Sequence, residues 1–217
     1  MNRTALGPVL HIRADLVRAN AELVCSRLRP LDITGVAKVT CADPVVVRAM
    51  VEGGVAAVGD SRLENLSRLR ALGLGVPLWL LRSAPPARAA EAVTLADVSL
   101  NSEVETLRAL NAAAASAGRR HRVILMIDLG DLREGIMPEE LDAVLQALRT
   151  FSSLEPVALG TNLTCYGAVI PTPENVRELV AMAEYAGSVL GRPLGVSAGN
   201  SSSLELAFAG GLPVGVT

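Results

Sequence analysis

Short apolar runs alternate along the chain with amphipathic segments, and turns rich in glycine, proline or small polar residues stand between them. Such a rhythm marks repeated β–α units on a parallel sheet. Eight runs qualify as strands: residues 9–12, 33–38, 55–59, 77–81, 93–100, 123–129, 157–163 and 194–197. None alternates apolar with polar residues cleanly, which predicts strands mostly buried on both faces.

The segments between them carry helix start and stop signals. Asp43-Pro44 places an N-cap before a proline at the first helical position, and Gly53-Gly54 closes that helix. Ser102 with Glu105 predicts a capping box, with Gly118 as the stop. Pro138 opens a segment whose Leu141, Val144, Leu145 and Leu148 share one face, and Pro173 opens another that runs to Leu190 before Gly191. The loops are short, with no linker, repeat or low-complexity stretch, so one α/β domain is expected.

Composition narrows the class. Half of the 217 residues are apolar, enough for a full core, but aromatics are only 2%, so Val, Leu, Ile and Ala must build it. The 20 Lys and Arg are dispersed among 22 Asp and Glu, for a net charge of −2, which argues against a nucleic-acid or anionic-membrane partner. Cys25, Cys41 and Cys165 form no CxxC pair and are odd in number, as expected of reduced thiols in a cytoplasmic protein. The longest uncharged stretch, 156–173, contains three prolines and cannot span a membrane, and the N-terminus leads into no apolar signal segment. His11 and His121 belong to no cluster of ligand spacing, so no metal site is expected.

In parallel α/β folds, functional groups gather at the carboxyl ends of the strands. Lys38 ends the apolar run 33–38; its ammonium either reaches water there or is partly desolvated, which favours the free amine as a Schiff-base nucleophile. Ser197 to Ser203, including Asn200, Ser201 and Ser202, joins a strand to a helix beginning near Leu204. Its small residues and hydroxyls suit either a phosphate or simple helix capping. In the segment 128–135, Arg133 lies among carboxylates and either fixes an anionic oxygen or pairs with Asp131 or Glu134. Asn162, Thr164, Cys165 and Tyr166 follow another strand, where Cys165 is either functional or an inert thiol.

Five segments together resemble the barrel domain of the fold-type III pyridoxal-phosphate (PLP) enzymes, the alanine racemase superfamily, and within it the ornithine racemase-like branch. They are 35–38, 59–66, 128–135, 160–167 and 197–203, in family order. The resemblance implies a (β/α)8 TIM-type barrel in which the lysine strand is the first and residues 9–12 lie outside. It implies that Lys38 carries PLP as an aldimine, that Arg133 lies beside the cofactor's phenolic oxygen, and that Asn200 and Ser201 belong to a phosphate cup with Ser197 and Ser202. Asn162 or Thr164 falls where the family packs a histidine on the cofactor ring.

The sequence stops before the family's closing strand and its arginine, and before the β domain that supplies a tyrosine acid/base across a dimer interface. The expectation is therefore residues 1–217 as a PLP-binding barrel domain, incomplete, from a homodimeric racemase of a small amino-acid substrate. Lys38, Arg133 and Cys165 are its candidate catalytic residues, with Tyr166 a further group to test for the opposite face. A non-catalytic, single-domain PLP homeostasis protein is the competing reading.

Overall fold

The computed structural model describes residues 9–213, 215 and 216. Among them, seven strands form one sheet in sequence order: β1 (Thr34–Val36), β2 (Ala57–Asp60), β3 (Leu78–Leu80), β4 (Val98–Asn101), β5 (His121–Met126), β6 (Leu154–Thr161) and β7 (Gly195–Ala198). Every neighbouring pair is parallel. The crossovers carry α2 (Pro44–Glu52), α3 (Leu63–Ala71), α4 (Ala89–Leu95), α5 (Val104–Ser116), α6 (Leu141–Leu148) and α7 (Pro173–Leu190); α1 (Ala14–Arg27) precedes the sheet and α8 (Leu204–Phe208) follows it. Parallel strands require such crossovers, so the β–α rhythm of the sequence translates directly into this order.

The sheet curls into a half-barrel. Residues of six strands, from β1 round to β7, line one hollow. Arg27 of α1 lies 5.0 Å from the ring centroid of Phe208 in α8, so the first and last helices meet across the gap between β1 and β7. The order ends at seven, in agreement with a (β/α)8 barrel short of its last strand.

Alternation along each strand divides the apolar residues between two layers. Leu80, Leu125 and Leu159 point outward and pack with Leu66 of α3, Leu107 and Leu110 of α5 and Leu145 of α6, all 1% exposed or less. Val98, Ile124, Met126 and Ala158 point inward with Trp79 and Leu100, and register sets Leu100 beside Ile124 and Ile124 beside Ala158. The inner layer is open to the hollow, and Val36 is 44% exposed. The expectation of strands mostly buried on both faces holds for β2, β4, β5 and β6, where the inward Val98, Ile124, Met126 and Ala158 are 8% exposed or less, and fails at β1 and β7, the edges that the open sheet leaves partly exposed.

Capping signals held at two helices. Asp43 accepts from the backbone N–H groups of Val45 and Val46, with Pro44 at the first helical position. Thr172 and Asn175 satisfy each other's backbone N–H at the start of α7, and Gly191 ends it in the left-handed region at φ 69°. At α5 the expectation fails: Glu103 occupies the N-cap position with no side-chain cap bond, and no Ser102 capping box forms.

Two strand assignments also change. Residues 9–12 form no strand, and Val9 and Leu10 are largely exposed. Residues 93–95 are the last turn of α4, because Ala92 and Val93 bury a helical face. Asp97 then pins the start of the next strand by accepting from Leu78 N at 2.7 Å. No helix among the described residues is long and apolar enough to cross a membrane.

Candidate functional site

The carboxyl ends of the strands converge on a hollow of about 920 Å³. β1 stops at Val36, and Lys38 begins a 3-10 turn, held by Ala37 N donating to Gly59 O at 2.9 Å and by Thr40 Oγ1 donating to Ala37 O. Lys38 therefore lies beyond the strand rather than at its last position. It is exposed and lines the hollow, and its side chain makes no hydrogen bond or ion pair among the described residues. Of the two expected alternatives, the lysine reaching solvent is the one found.

After β2, the fully buried Asp60 accepts from Arg62 N and twice from Asn65 Nδ2. That brace fixes the turn that brings Ser61 to the hollow.

The loops after β5 and β6 are stitched together by one carboxylate. Asp131, 2% exposed, accepts from Cys165 N and Tyr166 N at 3.0 Å each, while its carbonyl accepts from Gly167 N at 2.6 Å. Burial pushes its carboxyl up, but the converging backbone N–H donors outweigh this and hold it below the usual carboxylate range. Asp128 folds its own loop by accepting from Gly130 N and Leu132 N. Gly135 is obligatory there: φ is 149°, and a Cβ would lie 2.3 Å from Asp128 N.

This framework aims Arg133 across the gap, where Nη1 donates to Cys165 Sγ at 2.6 Å, and lets Asn162 Nδ2 donate to Glu134 Oε1 at 2.9 Å. The alternative in which Arg133 pairs with Asp131 or Glu134 is not realised.

A pH prediction follows from the stitch. A carboxyl held lower in the folded state than in the unfolded chain contributes stability that is complete above the unfolded value and lost as pH falls through the folded one. Amide-exchange protection at Cys165 and Tyr166 should therefore persist down to about pH 4, the ordinary aspartate range, and vanish only below it. Protection already lost at about pH 5 would contradict the assignment to Asp131.

Beyond β7, Asn200 braces the chain: Nδ2 donates to Leu163 O, and Oδ1 accepts from Ser202 N and Ser202 Oγ. Ser197, Asn200 and Ser201 line the hollow, whereas Ser202 turns toward Asn200 and Leu163 and does not. Ser203 stands in its place. Ser203 and Thr161 are residues of the same hollow, at 7% and 1% exposure, and the Oγ of the one and the Oγ1 of the other are buried with no hydrogen-bond partner. Gly199 lies beside them with φ 99°, and a Cβ there would fall 2.5 Å from Ser203 Oγ.

Buried hydroxyls without partners are costly, so this cup calls for acceptor atoms from a ligand. A phosphate group supplies them, and the residues present therefore fit a phosphate-bearing cofactor. The hydroxyls carry that fit; α8, five residues long, adds little.

Of the sequence candidates, the fold brings Lys38, Arg133, Asn162, Cys165, Ser197, Asn200 and Ser201 to one hollow. Thr164 instead donates to Val169 O within its own loop, and Tyr166 is exposed. Sequence reasoning did not single out Thr161 and Ser203, since nothing in a run of hydroxyl residues tells which will be buried unpaired. It also passed over Arg82, which lines the hollow after β3.

A second buried polar group, His121 Nε2 with Ser99 Oγ at 2.8 Å and Asn101 beyond, faces the helices rather than the hollow; burial pushes the imidazole down to about 4. Among the described residues no cluster of three or more His, Cys, Asp or Glu suited to a metal occurs.

The fold and the site thus define an α/β half-barrel with a lysine and buried hydroxyls in one hollow. Residues 12–210 match the family described as "Alanine racemase, N-terminal domain", and the chain belongs to that family. It is 40% identical over 184 residues to an ornithine racemase of Acetoanaerobium sticklandii, across 84% of this chain and 52% of that protein. It is 30% identical over 212 residues to a lysine racemase of Thermotoga maritima, across 96% of this chain and 59% of that one. The chain thus spans little more than half the length of these curated relatives. Among solved structures, PipY of Synechococcus elongatus, determined with PLP bound, superposes with a TM-score of 0.75 at 20% identity, over 90% of this chain and 94% of that one. That last likeness is one of fold.

Proposed function

We propose that residues 1–217 form the cofactor-holding barrel of a PLP-dependent amino-acid racemase, cytoplasmic and homodimeric, acting on a small amino acid of the ornithine or lysine type. The observation that carries this reading is the pair of unpartnered buried hydroxyls, Thr161 and Ser203, in the same hollow as the free Lys38. The racemase relatives support the reaction class.

Lys38 would hold the cofactor covalently through Nζ. Thr161, Ser197, Asn200, Ser201 and Ser203 would hold its phosphate, with Ser202 positioning Asn200. Arg133 would lie beside its ring oxygen, oriented through Cys165, and Asn162 beside its ring. PLP, when bound, supplies an electron sink for the pair left as the Cα–H bond breaks. Once the substrate's amine has displaced it from the cofactor, the freed Lys38 Nζ would be the base that accepts the α-proton on its own face. Inversion needs a donor on the opposite face, and in this chain Cys165 Sγ, already against Arg133, and the Tyr166 hydroxyl are the groups to test.

The likeness to PipY favours a second reading, a cofactor carrier without catalysis. Incubating the PLP-loaded chain with L-ornithine, L-lysine or L-alanine in D2O separates the two. Mass spectrometry should show deuterium entering Cα, with chiral chromatography reporting whether inversion accompanies it. Exchange at Cα would overturn the carrier reading, retained cofactor with no exchange would count against catalysis by these residues, and a chain that takes up no PLP would overturn both.

A further inference from the structure

Six charged side chains line the hollow: Asp32, Lys38, Arg82, Arg122, Arg133 and Glu134. They are not mixed along its length. Asp32 precedes β1 and Arg122 is the second residue of β5, so both sit at the amino ends of the strands, the floor of the half-barrel. Lys38, Arg82, Arg133 and Glu134 follow strands and sit at the mouth. Among the described residues the mouth therefore holds three cations, suited to a phosphate and a carboxylate, and a single carboxylate.

That carboxylate is held ready. Glu134 is half-buried, its Oε1 accepts from Asn162 Nδ2 at 2.9 Å, and no cation pairs with it among the described residues, although Arg133 is its chain neighbour. Arg133 is turned away to Cys165, and the turn that separates the two is fixed by Gly135 and Asp128. A partly desolvated carboxylate left without a counter-charge in a cationic surround is a receptor for a positive group. For a substrate with a second, cationic amine on its side chain, it is the one acidic side chain the mouth offers among the described residues.

We propose that Glu134 is a specificity-determining residue that reads the side-chain ammonium of a basic amino acid, with Asn162 as the residue that positions its carboxylate. The inference rests on the racemase reading above. It assigns the preference for cationic over neutral side chains to one residue: a charge-assisted contact of this kind corresponds to roughly 10- to 100-fold in affinity.

The test uses the full chain loaded with PLP and follows the change in the cofactor's visible absorbance on titration with L-ornithine and with its neutral isostere L-norleucine. The ratio of the two half-saturation concentrations is the readout, which a merely structural role for Glu134 would not move. Wild type should favour ornithine by about tenfold or more, and Glu134→Gln, which keeps the acceptor for Asn162, should bring the ratio close to one. Glu134→Ser serves as a second variant, and the retained cofactor band shows that each is folded.

A wild-type ratio near one, or an unchanged ratio in both variants, overturns the role of Glu134 while leaving the racemase reading intact. A wild-type spectrum that responds to neither amino acid overturns that reading, and the inference with it.

Discussion

Replacing Lys38 with alanine is expected to abolish covalent retention of PLP and to lower α-deuterium exchange by about 10² to 10⁴-fold, the range for removal of a general base. The side chain is exposed and makes no hydrogen bond or ion pair among the described residues, so its loss leaves the fold untouched. Surface positions of this kind change stability by about 0.5 kcal/mol or less. An unaltered melting temperature together with a lost cofactor band would therefore locate the defect in chemistry rather than folding. Borohydride reduction of the wild-type chain followed by peptide mapping should place the adduct on Lys38. An adduct on the N-terminal amine instead, or full retention in Lys38→Ala, would remove Lys38 from the site.

The second large effect is expected at the hydroxyl cup. Ser203→Asp places a carboxylate where the phosphate dianion is to sit, and juxtaposed like charges cost several kcal/mol, so cofactor retention should weaken by more than about 100-fold. Ser201→Asp should act in the same direction but less, because Ser201 is exposed and Ser203 is not. Ser203→Ala gives a sharper comparison. It removes a buried hydroxyl that has no partner in the protein, which should leave the cofactor-free chain as stable or more stable by up to about 1–3 kcal/mol. With PLP present the same change should cost affinity. Thermal melts with and without cofactor would show this reversal of sign. A variant destabilised equally in both conditions would mean that Ser203 only packs against Gly199, and that the phosphate binds elsewhere.

Several features of this site were legible in sequence because they are local. The cap at Asp43-Pro44, the stop at Gly191 and the run of small residues from Ser197 depend on neighbours a few positions away. Lys38 is the chain's single lysine, and the resemblance in five ordered segments, rather than that residue alone, gave it a cofactor role. Partners distant in sequence were not legible. Arg133 and Cys165 are 32 positions apart, and the choice of a thiol over the two flanking carboxylates is made by Asp131, which draws the second loop against the first. The unpaired state of Thr161 and Ser203 is equally non-local, since it depends on which hydroxyls the closing backbone buries.

The sequence by itself determined the α/β class, the order of strands and helices, and the loops in which chemistry is concentrated. Hydrophobic periodicity and caps act over single elements, and parallel strands can be joined only through crossovers. Tertiary structure alone decided where strands begin and end, as when the apolar run at 93–95 joined α4 and Asp97 set the start of β4. It also decided that the edge strands β1 and β7 stay partly exposed, and that Ser203 rather than Ser202 lines the hollow. Each of these depends on how the curled sheet distributes volume between its two faces, a property of all seven strands together that no stretch of chain encodes alone.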